Sequence, residues 1–122
     1  MRLQLAMIYG KDLPQMAGFY GDTLGLKPIK GTRTESWVEF DAGGITFALH
    51  AIPSHIADQI EITSPPAVRE ETPLKLVFAV SDVKAEFQRL SALGVFVTLR
   101  PWGACDCVDP EGNVFQICSA TT

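Results

Sequence analysis

Chemistry in this chain has to come from a short roster: two histidines, three cysteines and scattered charged groups set among apolar residues. His50 ends the run Thr46-Phe-Ala-Leu-His50. An imidazole there serves as a hydrogen-bonding group in a pocket, as a metal ligand, or as an edge residue with no ligand. Lys75 opens an apolar run. Desolvated in a cleft, a lysine forms a Schiff base or holds an anion; otherwise it pairs with a carboxylate such as Glu39 or reaches water. Trp37 and Glu39 alternate with Val38 and Phe40, so an indole and a carboxylate share one side of a strand. That pair suits a flat or cationic ligand, the alternative being a solvated carboxylate at a rim. Cys105 and Cys107, with Cys118 nearby, make a CxC and not the CxxC of zinc or redox motifs. No adjacent base favours their thiolates, so they read as buried, reduced thiols.

The elements that position these residues come in two copies. Asp12 to Gly25 reads as a helix: Asp12 caps the first turn, Pro14 is tolerated there, Gln15 completes a capping box, and Gly25 stops it. Its apolar stripe is Leu13, Ala17, Tyr20 and Leu24. Asp82 to Gly94 repeats this grammar with the stripe Val83, Phe87, Leu90 and Leu93, its cap 70 residues after the first. A second pair of segments, Asp41 to Leu49 and Asp109 to Ile117, carries Asp, Gly, Phe and an aliphatic residue at equal spacing, offset by 68. Each reads as a hairpin. Apolar runs Leu3–Ile8 and Leu74–Val80 precede the two helices as strands. The spacing therefore predicts an α+β chain of two tandem βαβββ modules, 1–53 and 73–122, joined by a proline-containing linker over 54–72 that includes His55.

Strand alternation divides the residues between two faces. Ala6, Ile8, Ile45, Phe47, Leu49, Leu76, Phe78, Val80, Phe115 and Ile117 are strongly apolar and belong under the helices. Leu5, Met7, Thr46, Ala48, His50, Lys75, Val77, Ala79, Val114, Gln116 and Cys118 form a face of mixed polarity, as in a cavity that orients a mostly apolar ligand. The 68-residue offset places Cys105 and Cys107 where Trp37 and Glu39 lie, and Asp106 on the helix-packing face.

Bulk composition narrows the function classes. A net charge of −4 argues against nucleic-acid binding, and no segment reaches the about 20 apolar residues that cross a bilayer. Met1-Arg2-Leu3-Gln4 lacks the apolar region of a signal peptide, and a cytoplasmic protein is expected.

The run Asp12-Leu13 … Phe19-Tyr20 … Leu24-Gly25, then Trp102-Gly103 and Asp109-Pro-Glu-Gly-Asn113 before the last strand, resembles the vicinal oxygen chelate superfamily of glyoxalases, bleomycin-resistance proteins and extradiol dioxygenases. The resemblance spans about Leu3 to Cys118 apart from the linker. It implies eight strands curled into a half-open barrel around a pocket, often with a divalent metal that chelates two neighbouring substrate oxygens. Carried over, its ligand positions are Leu5, Ala48, Lys75 and Gln116, at offsets of 70 and 68. Leucine and alanine donate no electron pair and a protonated lysine repels a cation, which leaves the Gln116 amide oxygen. The resemblance thus implies a small-molecule-binding protein without the usual metal site or other cofactor, and strand parity supplies Leu5, Met7, Trp37, Ala48, His50, Lys75 and Gln116 as its ligand-binding residues. The alternative is a lyase, isomerase or dioxygenase acting on a small oxygenated substrate, either metal-dependent through atypical ligands or metal-free. It also implies a homodimer.

Overall fold

The computed structural model describes residues 1–120 and divides into two compact units, Met1–Ile62 and Thr63–Thr122. Thr121 and Thr122, the end of the expected second module, lie outside the described residues.

In the first unit, strand β1 (Leu5–Gly10) leads into helix α1 (Leu13–Gly18) and a π-helical segment (Phe19–Thr23). Strands β2 (Lys27–Pro28), β3 (Trp37–Asp41) and β4 (Thr46–Ala51) follow, with a one-turn helix α2 (Ser54–Ala57). The sheet order is β1-β4-β3-β2, with β1 parallel to β4 and the other pairs antiparallel. The second unit repeats this plan with β5 (Val77–Val80), α3 (Val83–Ala92), β6 (Val97–Leu99), β7 (Cys105–Val108) and β8 (Val114–Ser119), in the order β5-β8-β7-β6. Each four-stranded sheet is open. The fold is α+β with two modules of one topology.

Local chemistry explains the helix boundaries. Asp12 accepts a hydrogen bond from the Gln15 backbone N–H at 3.1 Å, and Asp82 accepts one from that of Ala85 at 3.0 Å. Gly25 and Gly94 both adopt φ of +84°, the left-handed conformation that ends a helix without a Cβ penalty. Leu13, Met16, Ala17, Phe19 and Tyr20 are buried, Tyr20 against Phe47 with ring centroids 4.9 Å apart. Burying each such large apolar side chain contributes about 1.5–3 kcal/mol. In the second unit Val83, Leu90, Phe115 and Ile117 are buried, and Phe78 meets Phe115 edge-on. Leu93 departs from the expected stripe and is exposed. It is the C-cap of α3, with ψ near 0°, so it has left the helical line that would aim it at the sheet.

The expected linker is partly ordered. Lys11 Nζ donates to the carbonyls of Ala57 and Ile60, tying α2 to the end of β1. Arg69 bridges to Asn113 in the second unit, where its N–H donates to the Gly112 carbonyl at 2.8 Å.

One register assignment needs correction. Four residues separate the closing pair Asp41–Thr46 of the first hairpin, and five separate Val108–Val114 of the second. The offset is 68 after the hairpin turn but 67 before it. Cys105, Asp106 and Cys107 therefore correspond to Val38, Glu39 and Phe40. Cys105 and Cys107 pair with Ile117 and Phe115 and are fully buried on the helix side, while Asp106 pairs with Gln116 on the mixed face.

Candidate ligand-binding site

In the first unit the mixed face is built by β1, β4 and β3. Register places Tyr9, His50 and Trp37 in one row across these strands. The His50 ring meets Tyr9 edge-on at 5.1 Å and Trp37 at 5.7 Å. Tyr9 was missed from sequence because the apolar run ends at Ile8, whereas β1 continues to Gly10. Trp37 Nε1 donates to Glu39 Oε2 at 2.9 Å, which orients both side chains on this face. The Nδ1 atom of His50 is buried without a hydrogen-bond partner among the described residues. Met7, Ala48 and Glu39 form the next row. Leu5 and Met7 are half-buried, and Ala48 has no exposed surface.

In the second unit Val77, Gln116, Asp106 and Thr98 lie in register across β5, β8, β7 and β6. Asp106 is the centre of the polar groups. Its Oδ1 accepts from Lys75 Nζ at 3.0 Å and from Gln116 Nε2 at 3.2 Å, and its Oδ2 accepts from Arg100 Nε at 2.7 Å. Burial pushes the Asp106 carboxyl upward, but the hydrogen bonds from Lys75, Arg100 and Gln116 outweigh it and hold the group below its ordinary value. Lys75 thus pairs with Asp106 and not with Glu39. Above this row lies a cleft of about 260 Å³, lined from the sheet by Lys75, Asp106, Thr98, Arg100, Phe96, Val108 and Val114 and from the preceding chain by Val68, Glu70 and Thr72. Sequence reasoning placed Lys75 and Gln116 on this face and missed Asp106, Arg100 and Thr98. The one-residue difference in hairpin length conceals the parity of Asp106, whereas Thr98 and Arg100 lie on or just after β6, a strand to which the repeat assigns no face.

The thiols take no part in either face's polar groups. Burial raises Cys105, with the Asp106 charge adding to it, and burial pushes Cys107 up to about 12. Both stay protonated at neutral pH and are poor nucleophiles.

The positions that the resemblance assigns to a metal hold a poor donor set. Leu5 and Ala48 have no donor atom, Lys75 is an ammonium engaged by Asp106, and Gln116 offers its amide oxygen alone, its nitrogen being bonded to the same carboxylate. Among the described residues no three His, Cys, Asp or Glu side chains gather as ligands. These residues do not fit a divalent ion held in the superfamily's manner. Among the described residues no helix is long and apolar enough to cross a membrane.

Residues 2–117 match the family model of the Glyoxalase/Bleomycin resistance protein/Dioxygenase superfamily. No curated protein matches the chain significantly. Among solved structures, a protein of unknown function from Agrobacterium tumefaciens is similar at 27% identity, over 99% of this chain and 95% of that one, with a TM-score of 0.70. A glyoxalase/bleomycin resistance protein/dioxygenase family enzyme from Burkholderia phytofirmans is similar at 22% identity, over 96% and 97%, with a TM-score of 0.72. An antibiotic binding protein from a Streptomyces species is similar at 23% identity, over 99% and 97%, with a TM-score of 0.66.

Proposed function

The chain belongs to the glyoxalase/bleomycin resistance protein/dioxygenase superfamily, and from that premise we propose that it is a small-molecule-binding protein working without the superfamily's usual metal. The ligand-binding residues in this reading are Leu5, Met7, Trp37, Ala48 and His50 on the first unit's mixed face and Lys75 and Gln116 on the second unit's, each face taken by itself. The observation that carries this reading is the second sheet's outer face. Its polar side chains are bonded to one another around Asp106, beneath a cleft where Val68, Phe96, Val108 and Val114 add apolar surface to a mainly polar lining. A few fixed polar groups beside apolar surface are the composition of a ligand pocket. The reading includes cytoplasmic placement, as expected for reduced thiols, and pairing of two copies, which the edge strand β5 and the 54% exposed Val77 favour.

The test is a fragment screen by ligand-observed NMR against the native protein and Thr98→Trp. Thr98 is exposed on an edge strand and lines the cleft, so an indole there fills the space without entering the core. Fragments that bind the native protein are expected to lose binding to Thr98→Trp and to keep it with Lys84→Gln on the opposite, helical side. Hits that bind Thr98→Trp as well as the native protein overturn the assignment of the cleft.

A further inference from the structure

The chemistry of that cleft narrows the ligand, on the proposal above that this face binds a small molecule. We propose that it takes an oxyanion, a carboxylate or phosphate carried on an aromatic or apolar body, held by Lys75 and Arg100 while Asp106 positions both cations.

Donor capacity carries the inference, because Asp106 and Glu70 together balance the charges of Lys75 and Arg100. Asp106 neutralises one unit of charge but faces two cations, Lys75 on one carboxylate oxygen and Arg100 on the other. An ammonium has three N–H donors and a guanidinium five. The bonds to Asp106 use one from Lys75 and the Nε–H of Arg100. Their side chains are 44% and 41% exposed, so the heads are accessible from the cleft they line. Charge-assisted bonds to a planar oxyanion are the strongest use of such donors.

A cationic ligand finds both Asp106 oxygens already taken by three donors and is left with Glu70 as its one carboxylate in the cleft lining. A neutral ligand would cover two cationic heads without replacing their hydration. Glu70 is the other charged group lining the cleft, on the chain before β5. It opposes an anion and so confines the oxyanion to the Lys75–Arg100 side. Phe96, Val108 and Val114 then receive the apolar body, and Phe96 offers a ring that is 69% exposed.

The experiment follows backbone amide shifts of the native protein titrated with benzoate, phenyl phosphate and the neutral benzamide. Saturable shifts at Phe96, Thr98 and Asp106 are expected with an oxyanion probe, and benzamide should bind about tenfold more weakly. Binding of benzoate alone assigns a carboxylate, and binding of phenyl phosphate alone a phosphate; either supports the proposal. Lys75→Gln and Arg100→Gln should each weaken the oxyanion about tenfold and leave benzamide unchanged. Glu70→Gln should tighten the oxyanion, and Lys84→Gln should change nothing. Lys75 is exposed before an edge strand, so its variant keeps the test valid should Arg100→Gln unfold. Benzamide binding as tightly as the oxyanions, or Lys75→Gln binding normally, overturns the oxyanion assignment and leaves the small-molecule reading standing. No shift at these amides with any of the three probes overturns the oxyanion assignment, while the fragment screen against Thr98→Trp decides the small-molecule reading separately.

Discussion

Asp106 lies directly across the β7–β8 ladder from Gln116, and its carboxylate accepts the Gln116 amide N–H at 3.2 Å while holding Lys75 and Arg100. The folded state therefore favours the ionised carboxylate. A carboxyl lowered on folding contributes stability that is present above its unfolded pKa, about 3.9, and is lost as pH falls through the lower folded value. Both cationic partners are more than a third exposed, so solvent screening limits the contribution to about 1 kcal/mol. Asp106→Asn is expected to lower the unfolding free energy by about 1 kcal/mol at pH 7, read as a lower urea midpoint at unchanged slope. The gap between native protein and variant should close as the pH approaches 2. A gap unchanged between pH 7 and pH 2 would show that the carboxylate's charge is not what matters.

The same pairings bear on metal affinity. Lys75 is paired with Asp106, Gln116 offers a single neutral amide oxygen, and Leu5 and Ala48 offer no donor. Calorimetric titration with nickel, zinc, manganese and iron is expected to show no stoichiometric, tight event. A one-to-one event abolished by Gln116→Ala would refute this account of the ligand positions.

Thiol reactivity should separate the three cysteines. Cys105 and Cys107 are fully buried with raised pKa values, Cys107 to about 12, whereas Cys118 is only half-buried. Reaction requires the thiolate and access. With a thiol-reactive disulfide reagent at pH 8, the native protein should label at Cys118 alone, and in denaturant at all three. Rapid native labelling of Cys107 would contradict the burial described for it.

Self-association is checked by sedimentation velocity. The edge strand β5 and the exposed Leu74 and Val77 present unpaired backbone and apolar side chains, which a second copy would cover. A dimer is expected at micromolar concentration. A monomer at high micromolar concentration would remove pairing from the functional reading.

What the sequence made legible is what local chemistry fixes. Asp12 and Asp82 cap helices, Gly25 and Gly94 end them, and strand alternation buries Phe47, Leu49, Phe115 and Ile117. The polar cluster was hidden by a coincidence of letters. Asp41 and Asp109 look equivalent, and both use their carboxylates within the turn: Asp41 accepts from the Gly43 N–H, and Asp109 from the N–H groups of Glu111 and Asn113. Yet Asp41 is also the last ladder residue of its strand, while Asp109 already belongs to a longer loop. That single extra residue inverts the parity of everything before it on β7. The pairing of Lys75 with a residue 31 positions away depends on this register, and composition and periodicity carry no trace of it.

The longer loop makes its own prediction. Gly112 has φ of +91°, a Cβ there would overlap the Ala67 carbonyl oxygen, and its own carbonyl accepts the Arg69 N–H. Gly43 in the shorter hairpin also has positive φ, +82°, but nothing lies within 4 Å of its added Cβ. Gly43→Ala should therefore cost only the left-handed backbone penalty, about 1–2 kcal/mol. Gly112→Ala should cost that plus an overpacking term of about 1–3 kcal/mol, because backbone and not a flexible side chain must yield. The yielding chain leads directly into Val68, Glu70 and Thr72, one wall of the cleft. Gly112→Ala should consequently weaken binding of cleft ligands, and Gly43→Ala should leave it intact. Denaturant melts of the two variants, paired with the fragment titrations, measure both effects. Equal destabilisation by the two substitutions would show that the crossing at Ala67 gives way freely and does not brace the cleft.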